Sequence, residues 1–302
     1  MIKILILGTA AGGGVPQWNC GCDNCRDARS GALDVRGNQA SVAISCDGEN
    51  WFLFNASPDL RQQIANTPAL WPKQGLKRHS PIAGVILTNG EIDAIAGLLT
   101  LREGSPFTLY AHERVLSILK SNSIFNALKP QHVVRQPVAL GERFFPALPD
   151  GSRSGLEILP FAAPGKTALF LEDNDQNTEG DTLGLLVVDR SSGARVVFLA
   201  ACAAMTDELL NLIDGVDAVF FDGTLWRDDE MVANGLSSKT GQRMGHIAMS
   251  DVIPALAETP IGNKFFLHIN NSNPALRPDS DERKMLEAAG WSIPAEGMEI
   301  TI

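Results

Sequence analysis

Apolar residues fall in short runs along this chain, separated by polar stretches that carry most of the turn-forming residues. The runs are Ile2–Leu7, Ser41–Ser45, Trp51–Phe54, Ile82–Leu87, Thr108–Tyr110, Leu156–Pro160, Gly184–Asp189, Arg195–Ala200, Ala218–Phe221 and Lys264–Ile269. Several are continuously apolar and short, which suits strands buried on both faces. Between them, Pro58–Asn66, Asp93–Leu101, Glu113–Ser121, Asp207–Ile213, Ser250–Ala257 and Asp281–Ala289 read as helices. The first of these follows Ser57, an N-cap residue type, and has proline at its first position. This is an α/β mixture. Leu148–Ser154 and Glu172–Asp181 are polar but short enough to be surface loops, so residues 1–302 are expected to form one domain. Glu172-Asp173-Asn174-Asp175 lacks the glycine and closing glutamate of an EF-hand, and reads as a solvated loop.

Composition narrows the function classes. A net charge of −10 argues against a nucleic-acid or anionic-membrane binder. No run approaches the roughly 18 apolar residues of a membrane span, so no membrane insertion is expected. Ile2–Leu7 is too short for a signal-peptide core, which, with reduced cysteines, points to the cytoplasm.

Three of the chain's five cysteines, Cys20, Cys22 and Cys25, lie within six residues. Closely spaced thiolates with a distant fourth ligand are a common way to build a structural zinc site. The alternative is a loop of unrelated buried cysteines; a disulfide suits neither the spacing nor the odd count. We therefore expect a structural Zn²⁺ staple. Cys46 reads as an ordinary strand-end cysteine and Cys202 as a small buried one.

Other candidates sit where strands end, the usual place for sites in α/β proteins. Glu91 and Asp93 follow the run closing at Leu87–Thr88, although carboxylates there also suit a helix N-terminus. Asp222 closes Ala218–Phe221, where it could bind metal, orient a ligating histidine or cap a turn. His268 ends a buried strand and His246 lies in a glycine- and serine-containing loop; each could instead be a satisfied core histidine. Gly12-Gly13-Gly14 fits neither a P-loop nor a dinucleotide fingerprint and reads as a close backbone approach. Arg61, Arg102 and Arg243 are candidates for gripping a substrate carboxylate.

Thr88 to Leu98 resembles the Thr-His-x-His-x-Asp-His-x-x-Gly-Leu metal motif of the metallo-β-lactamase superfamily. Thr88, Asp93, Gly97 and Leu98 match, while Asn89, Glu91 and Ala94 stand at the histidine positions. A dinuclear hydrolase needs those imidazoles, so a phosphodiesterase or lactonase is disfavoured. Within the superfamily the chain closely resembles the pyrroloquinoline quinone (PQQ) biosynthesis protein B family. The blocks that carry this run nearly end to end: Gly8–Cys25, Asn55–Asp59, Leu87–Gly104, Asp222–Trp226, Asp228–Met231, Thr240-Gly241 with Met244-Gly245-His246, and His268–Pro274.

The resemblance implies a metallo-β-lactamase-like αβ/βα four-layer sandwich with its site at one edge. It also implies a role in making PQQ, through iron- and oxygen-dependent hydroxylation of the tyrosine ring of a Glu-Tyr peptide precursor. Asp93 and His268 would then be Fe²⁺ ligands, with Asp222, His246 or Glu91 completing the set. Two histidines and one or two carboxylates suit non-haem Fe(II). The partners implied are the peptide-derived substrate or PQQ precursor, other proteins of PQQ synthesis and a second copy of the chain in a homodimer. Family members carry a histidine directly after the motif aspartate, where this chain has Ala94. A second reading follows, a carrier taking PQQ or its precursor toward the periplasm without catalysis. In a related phosphodiesterase branch the staple's fourth ligand is a histidine at the position matching Asn271, which leaves His268 or Asn271 to complete it here.

Overall fold

The computed structural model describes residues 1–172 and 178–302; Asp173, Asn174 and Asp175 of the acidic run lie outside the described residues. One sheet contains β1 (Lys3–Gly8), β2 (Ser41–Ser45), β3 (Trp51–Phe54), β4 (Ile82–Ile86), β5 (Phe107–His112), β6 (Val133–Val138) and a C-terminal strand. The other contains β7 (Leu156–Ala162), β8 (Leu183–Asp189), β9 (Arg195–Leu199), β10 (Val216–Asp222), β11 (Ile261–Leu267) and β12 (Trp291–Ser292). The C-terminal strand is β13 (Glu299–Thr301). Strand order is β13-β1-β2-β3-β4-β5-β6 in the first sheet and β12-β11-β10-β9-β8-β7 in the second. Both are mixed: β3 to β6 run parallel, as do β9 to β12, and the remaining pairs are antiparallel.

Alternation along the strands sets the layers. Ile2, Ile4 and Ile6 face a core shared by the two sheets, with Phe52, Phe54, Val187, Phe198 and Phe220. Leu5 and Leu7 face the other way, into a second core with Leu60, Leu98, Val115 and Leu119. A third core joins Val197, Val219 and Phe221 to Leu209, Ile213, Val252 and Leu286. Helices therefore cover the outer face of each sheet. Those that contribute to these outer cores are α2 (Leu60–Asn66), α3 (Ile92–Ile95), α4 (Glu113–Ser121), α5 (Asp207–Ile213), α8 (Met249–Ala255) and α9 (Asp281–Ala288), while α1 (Asp23–Ser30), α6 (Glu230–Ala233) and α7 (Gly241–Met244) lie outside them. The arrangement is the αβ/βα sandwich.

Two expected helices differ. The Pro58–Asn66 helix begins at Leu60, because the Ser57 hydroxyl donates to Gln63 Oε1 at 3.0 Å rather than capping. The Asp93–Leu101 helix becomes the single turn α3 followed by 3₁₀ turns over Ala96–Glu103. Gly97 accounts for this tightening. Its N–H donates to Ala56 O at 2.8 Å, and a Cβ there would stand 2.0 Å from Ser57 O.

Gly97→Ala is accordingly expected to destabilise the protein by about 2–3 kcal/mol, since overpacking against fixed backbone outweighs the ~1 kcal/mol helix-propensity gain of alanine. Chemical denaturation checks this. A midpoint equal to that of the parent would mean the Ala56–Ser57 segment gives way freely.

Candidate functional site

The site is built where β4, β10 and β11 end. Beyond β4, the turn is tied to Asn55, whose Nδ2 donates to Thr88 Oγ1 and whose Oδ1 accepts from Thr88 N, both at 2.9 Å. Asn55 adopts φ 60°, a left-handed conformation that asparagine tolerates better than most residues. This fixes the start of α3, and Asp93 in its first turn reaches His268, with Oδ2 3.0 Å from Nε2. Gly12 leaves room for that carboxylate: a Cβ there would lie 3.2 Å from Asp93 Oδ2.

Asp222 closes β10 and is fully buried. Its Oδ2 accepts from Cys202 N at 2.9 Å and lies 2.7 Å from His246 Nδ1. Its Oδ1 accepts from Thr224 N at 3.0 Å and from Thr224 Oγ1 at 2.7 Å. The Thr224 hydroxyl also lies 2.7 Å from His268 Nδ1 and 3.1 Å from His246 Nδ1. His268 directly follows β11 with φ 59°, strained backbone that is rare outside glycine and asparagine. Its ring stacks on that of His246, centroids 5.2 Å apart. Asp222, His246 and His268 each offer a ligand atom within 4.8 Å of the others, and Asp93 adjoins them through His268.

Asp93 and His268 shift each other's titration. Burial opposes a charged His268, but the hydrogen bond and charge of Asp93, helped by Asp222 and Glu91, raise its pKa above the usual histidine value. Burial likewise opposes the Asp93 carboxylate, yet His268 and the charge of His246 hold its pKa below the ordinary range. Two imidazoles and two carboxylates form a donor set that suits a divalent metal of the non-haem Fe(II) type. Asp222 fixes His246 through Nδ1, so Nε2 is the ring nitrogen available for ligation.

A cavity of about 740 Å³ opens over the cluster, lined by Asp93, Thr224, His246 and His268 on one side. Glu91, expected as one of the residues that could complete the set, also lines it, and its hydrogen bonds go to partners other than the two histidines. Its Oε1 accepts from Leu169 N at 2.9 Å and from Lys166 Nζ at 3.4 Å. Burial raises the Glu91 pKa, and Lys166 offsets part of that effect. Arg61, Arg102 and Arg243, by contrast, do not line the cavity. Arg102 instead donates to Leu99 O and pairs with Glu103. The cations at the cavity wall are Lys166 and Lys239. They sit in loops 73 residues apart, and no local spacing in the sequence marks them as a pair.

The three clustered cysteines converge at a second place. Their sulfurs lie within 4.8 Å of one another, and Asn271 Nδ2 donates to Cys20, Cys22 and Cys25 Sγ at 3.1, 3.5 and 3.3 Å. His268 is engaged by Asp93 and Thr224, so the residue facing the staple's fourth position is Asn271. Burial disfavours the Cys20 thiolate, but hydrogen bonds from the Cys22 amide, Cys22, Cys25 and Asn271 bring its pKa below normal. Burial, together with the neighbouring thiolates, pushes Cys25 up to about 11. Such a cluster ionises fully only around a cation, and Zn²⁺ with its preference for thiolate fits it. Cys202 is buried, its thiol donates to Ala204 O at 3.1 Å, and burial raises its pKa to about 12. Ala94 is buried in the apolar core beneath the first sheet.

Comparison with known proteins places this architecture. Residues 50–269 match the Beta-lactamase superfamily domain. The chain is 59% identical over its full length to the whole of the coenzyme PQQ synthesis protein B of Bradyrhizobium diazoefficiens. It is 57% identical, again over all of both chains, to that of Rhodopseudomonas palustris strain CGA009. The crystal structure of Zn²⁺-bound PqqB from Methylobacterium extorquens superposes with a TM-score of 0.93 at 46% identity, covering 99% of this chain and 100% of that one. The fold is therefore that of the metallo-β-lactamases. No helix of the described residues is long and apolar enough to cross a membrane.

Proposed function

The chain belongs to the coenzyme PQQ synthesis protein B family of the β-lactamase superfamily, and from that premise we propose that it hydroxylates the tyrosine ring of a Glu-Tyr peptide precursor of PQQ. The observation that carries this reading is the cluster of Asp222, His246 and His268, with Asp93 beside it, in which both histidines and Asp93 line an open cavity and Asp222 lies buried behind them. Asp93, His268, His246 and Asp222 would hold Fe²⁺, which when bound supplies the activation of dioxygen that ring hydroxylation needs. The histidines a two-zinc hydrolase requires are absent, Asn89, Glu91 and Ala94 standing in their places.

The chain's own residues prepare the site. Asp222 and Thr224 lock the His246 and His268 rings in place, and Asp93 stabilises a proton on His268 Nε2. Each turnover would convert one ring C–H to C–OH. The second oxygen atom would leave as water, on two protons and two electrons from an external reductant such as ascorbate.

Zinc fits the cysteine staple, where it would be structural. The reduced thiols suit a reducing compartment such as the cytoplasm, and one domain, a homodimer and contacts with other proteins of PQQ synthesis belong to the same proposal. A second reading, a carrier that takes PQQ or its precursor toward the periplasm, is favoured by Ala94, which supplies no ligand and packs in the core.

Anaerobic loading with Fe(II), followed by Glu-Tyr, ascorbate and oxygen, separates the two. A mass gain of one or two oxygen atoms on the tyrosine is the expected result. Unchanged peptide with PQQ or the peptide still bound would overturn the hydroxylase in favour of the carrier.

A further inference from the structure

Glu172 reaches the cavity wall and takes up two lysines at once. Its Oε1 accepts from Lys166 Nζ at 2.8 Å and its Oε2 from Lys239 Nζ at 3.1 Å. Both lysines line the cavity that contains Asp93, His246 and His268. The Lys166 stem packs on Gly245, where a Cβ would stand 3.1 Å from Lys166 Cγ, so the ammonium is positioned by the loop that carries His246. In a chain with a net charge of −10, two ammonium groups turned on one carboxylate beside a candidate metal centre form a local anion-binding wall.

Part of the mouth is apolar. Ile92, Leu169 and Phe170 line it and remain 54%, 54% and 42% exposed. Large apolar side chains left bare around a cavity mark a surface that a ligand covers. The ligand that matches these walls has an aromatic or aliphatic body and a carboxylate.

We propose that Lys166 and Lys239 form the subsite for a carboxylate of the substrate, and that Glu172 is a tethered stand-in for that carboxylate which the substrate displaces. The proposal rests on the reading of the cavity as the Glu-Tyr site and names what grips that peptide. The Lys166 and Lys239 hydrogen bonds hold the Glu172 pKa down to about 2, so its side chain competes as an anion at neutral pH. Glu91, which also contacts Lys166, stays on Leu169 N when Glu172 leaves.

The test is binding, measured by calorimetry on Fe(II)-loaded protein without oxygen, so that it does not depend on hydroxylation. The probes are Glu-Tyr and Gln-Tyr-amide, which lacks both carboxylates. The parent protein is expected to prefer Glu-Tyr by about tenfold or more, as charge-assisted hydrogen bonds commonly give. Lys166→Met and Lys239→Met should each remove most of that preference and leave Gln-Tyr-amide binding within about twofold. Glu172→Gln should tighten Glu-Tyr binding several-fold by removing the competitor. Lys239 is the more exposed of the pair, so its variant and Glu172→Gln keep the test sound if Lys166→Met folds poorly.

The proposal is overturned if the preference survives in the lysine variants, if Glu172→Gln fails to tighten Glu-Tyr, or if Glu-Tyr does not bind. Admitting oxygen afterwards tests the other reading separately. Lysine-dependent binding without oxygen gain would sink the hydroxylase and keep the subsite. Oxygen gain with unchanged preference in the lysine variants would do the reverse.

Discussion

Asp222→Asn is expected to lose about 3–5 kcal/mol of stability and about tenfold to a hundredfold in affinity for the cavity metal. Four donors converge on this carboxylate: the Cys202 and Thr224 amides, the Thr224 hydroxyl and the His246 ring. Asparagine offers one acceptor oxygen and an NH₂ group that can only donate. If the NH₂ takes the place of Oδ2 it faces the Cys202 N–H, and in the place of Oδ1 it faces the Thr224 N–H. Either way a buried amide loses its acceptor, in a position with no access to water. His246 loses the charge that orients it, and the Thr224 hydroxyl no longer has a fixed acceptor from which to hold His268. Thermal unfolding and metal content after gel filtration are the measurements. A variant that melts with the parent and retains its metal would show that Asp222 neither holds nor organises the centre.

The sequence made the sheets legible because their strands are buried on both faces. β1 to β4, β8 and β9 each begin and end within a residue or so of the apolar runs. β6 gave no such run: four of its six residues are not fully buried, it lies at a sheet edge, and Pro137 can sit there because an edge position has no ladder bond to lose. β12 and β13 span two and three residues, too few to show a period. α1 is polar, Asp-Asn-Cys-Arg-Asp-Ala-Arg-Ser, and is held by contacts to residues about 250 positions away, which no local pattern can show.

The candidate site divides the same way. Asp222 and His268 were visible because a polar residue that ends a buried apolar run must face something. Asp93 shared a turn with Glu91, and spacing could not tell which carboxylate turned to the histidines and which to Lys166. The Lys166–Glu172–Lys239 group depends on two loops meeting, which is a property of the folded chain alone.

Cys25→Ser, or removal of metal by a strong chelator, is expected to cost about 5 kcal/mol or more, because the binding energy of a structural zinc site appears directly as folding energy. α1 has eight residues, too few to persist alone. It is docked on the segment after β11 by Asn24, whose Nδ2 donates to Asn271 O at 3.1 Å and Asn273 O at 3.0 Å, and by Arg277, which pairs with Asp27 at 2.6 Å. The three thiolates and Asn271 clamp the same two pieces of chain. Without a cation the thiolates repel one another, so the clamp becomes a partly protonated cluster with little hold on α1. The segment it releases begins three residues after His268, whose left-handed backbone persists only while its surroundings fix it. Loss of the staple should therefore also weaken metal binding at the cavity, though no cysteine lines that cavity. The checks are zinc stoichiometry, denaturant unfolding with and without chelator, and iron affinity of the Cys25→Ser protein. Unfolding that ignores the chelator would reduce the cysteines to packing, and unchanged iron affinity in a destabilised variant would break the link from staple to site.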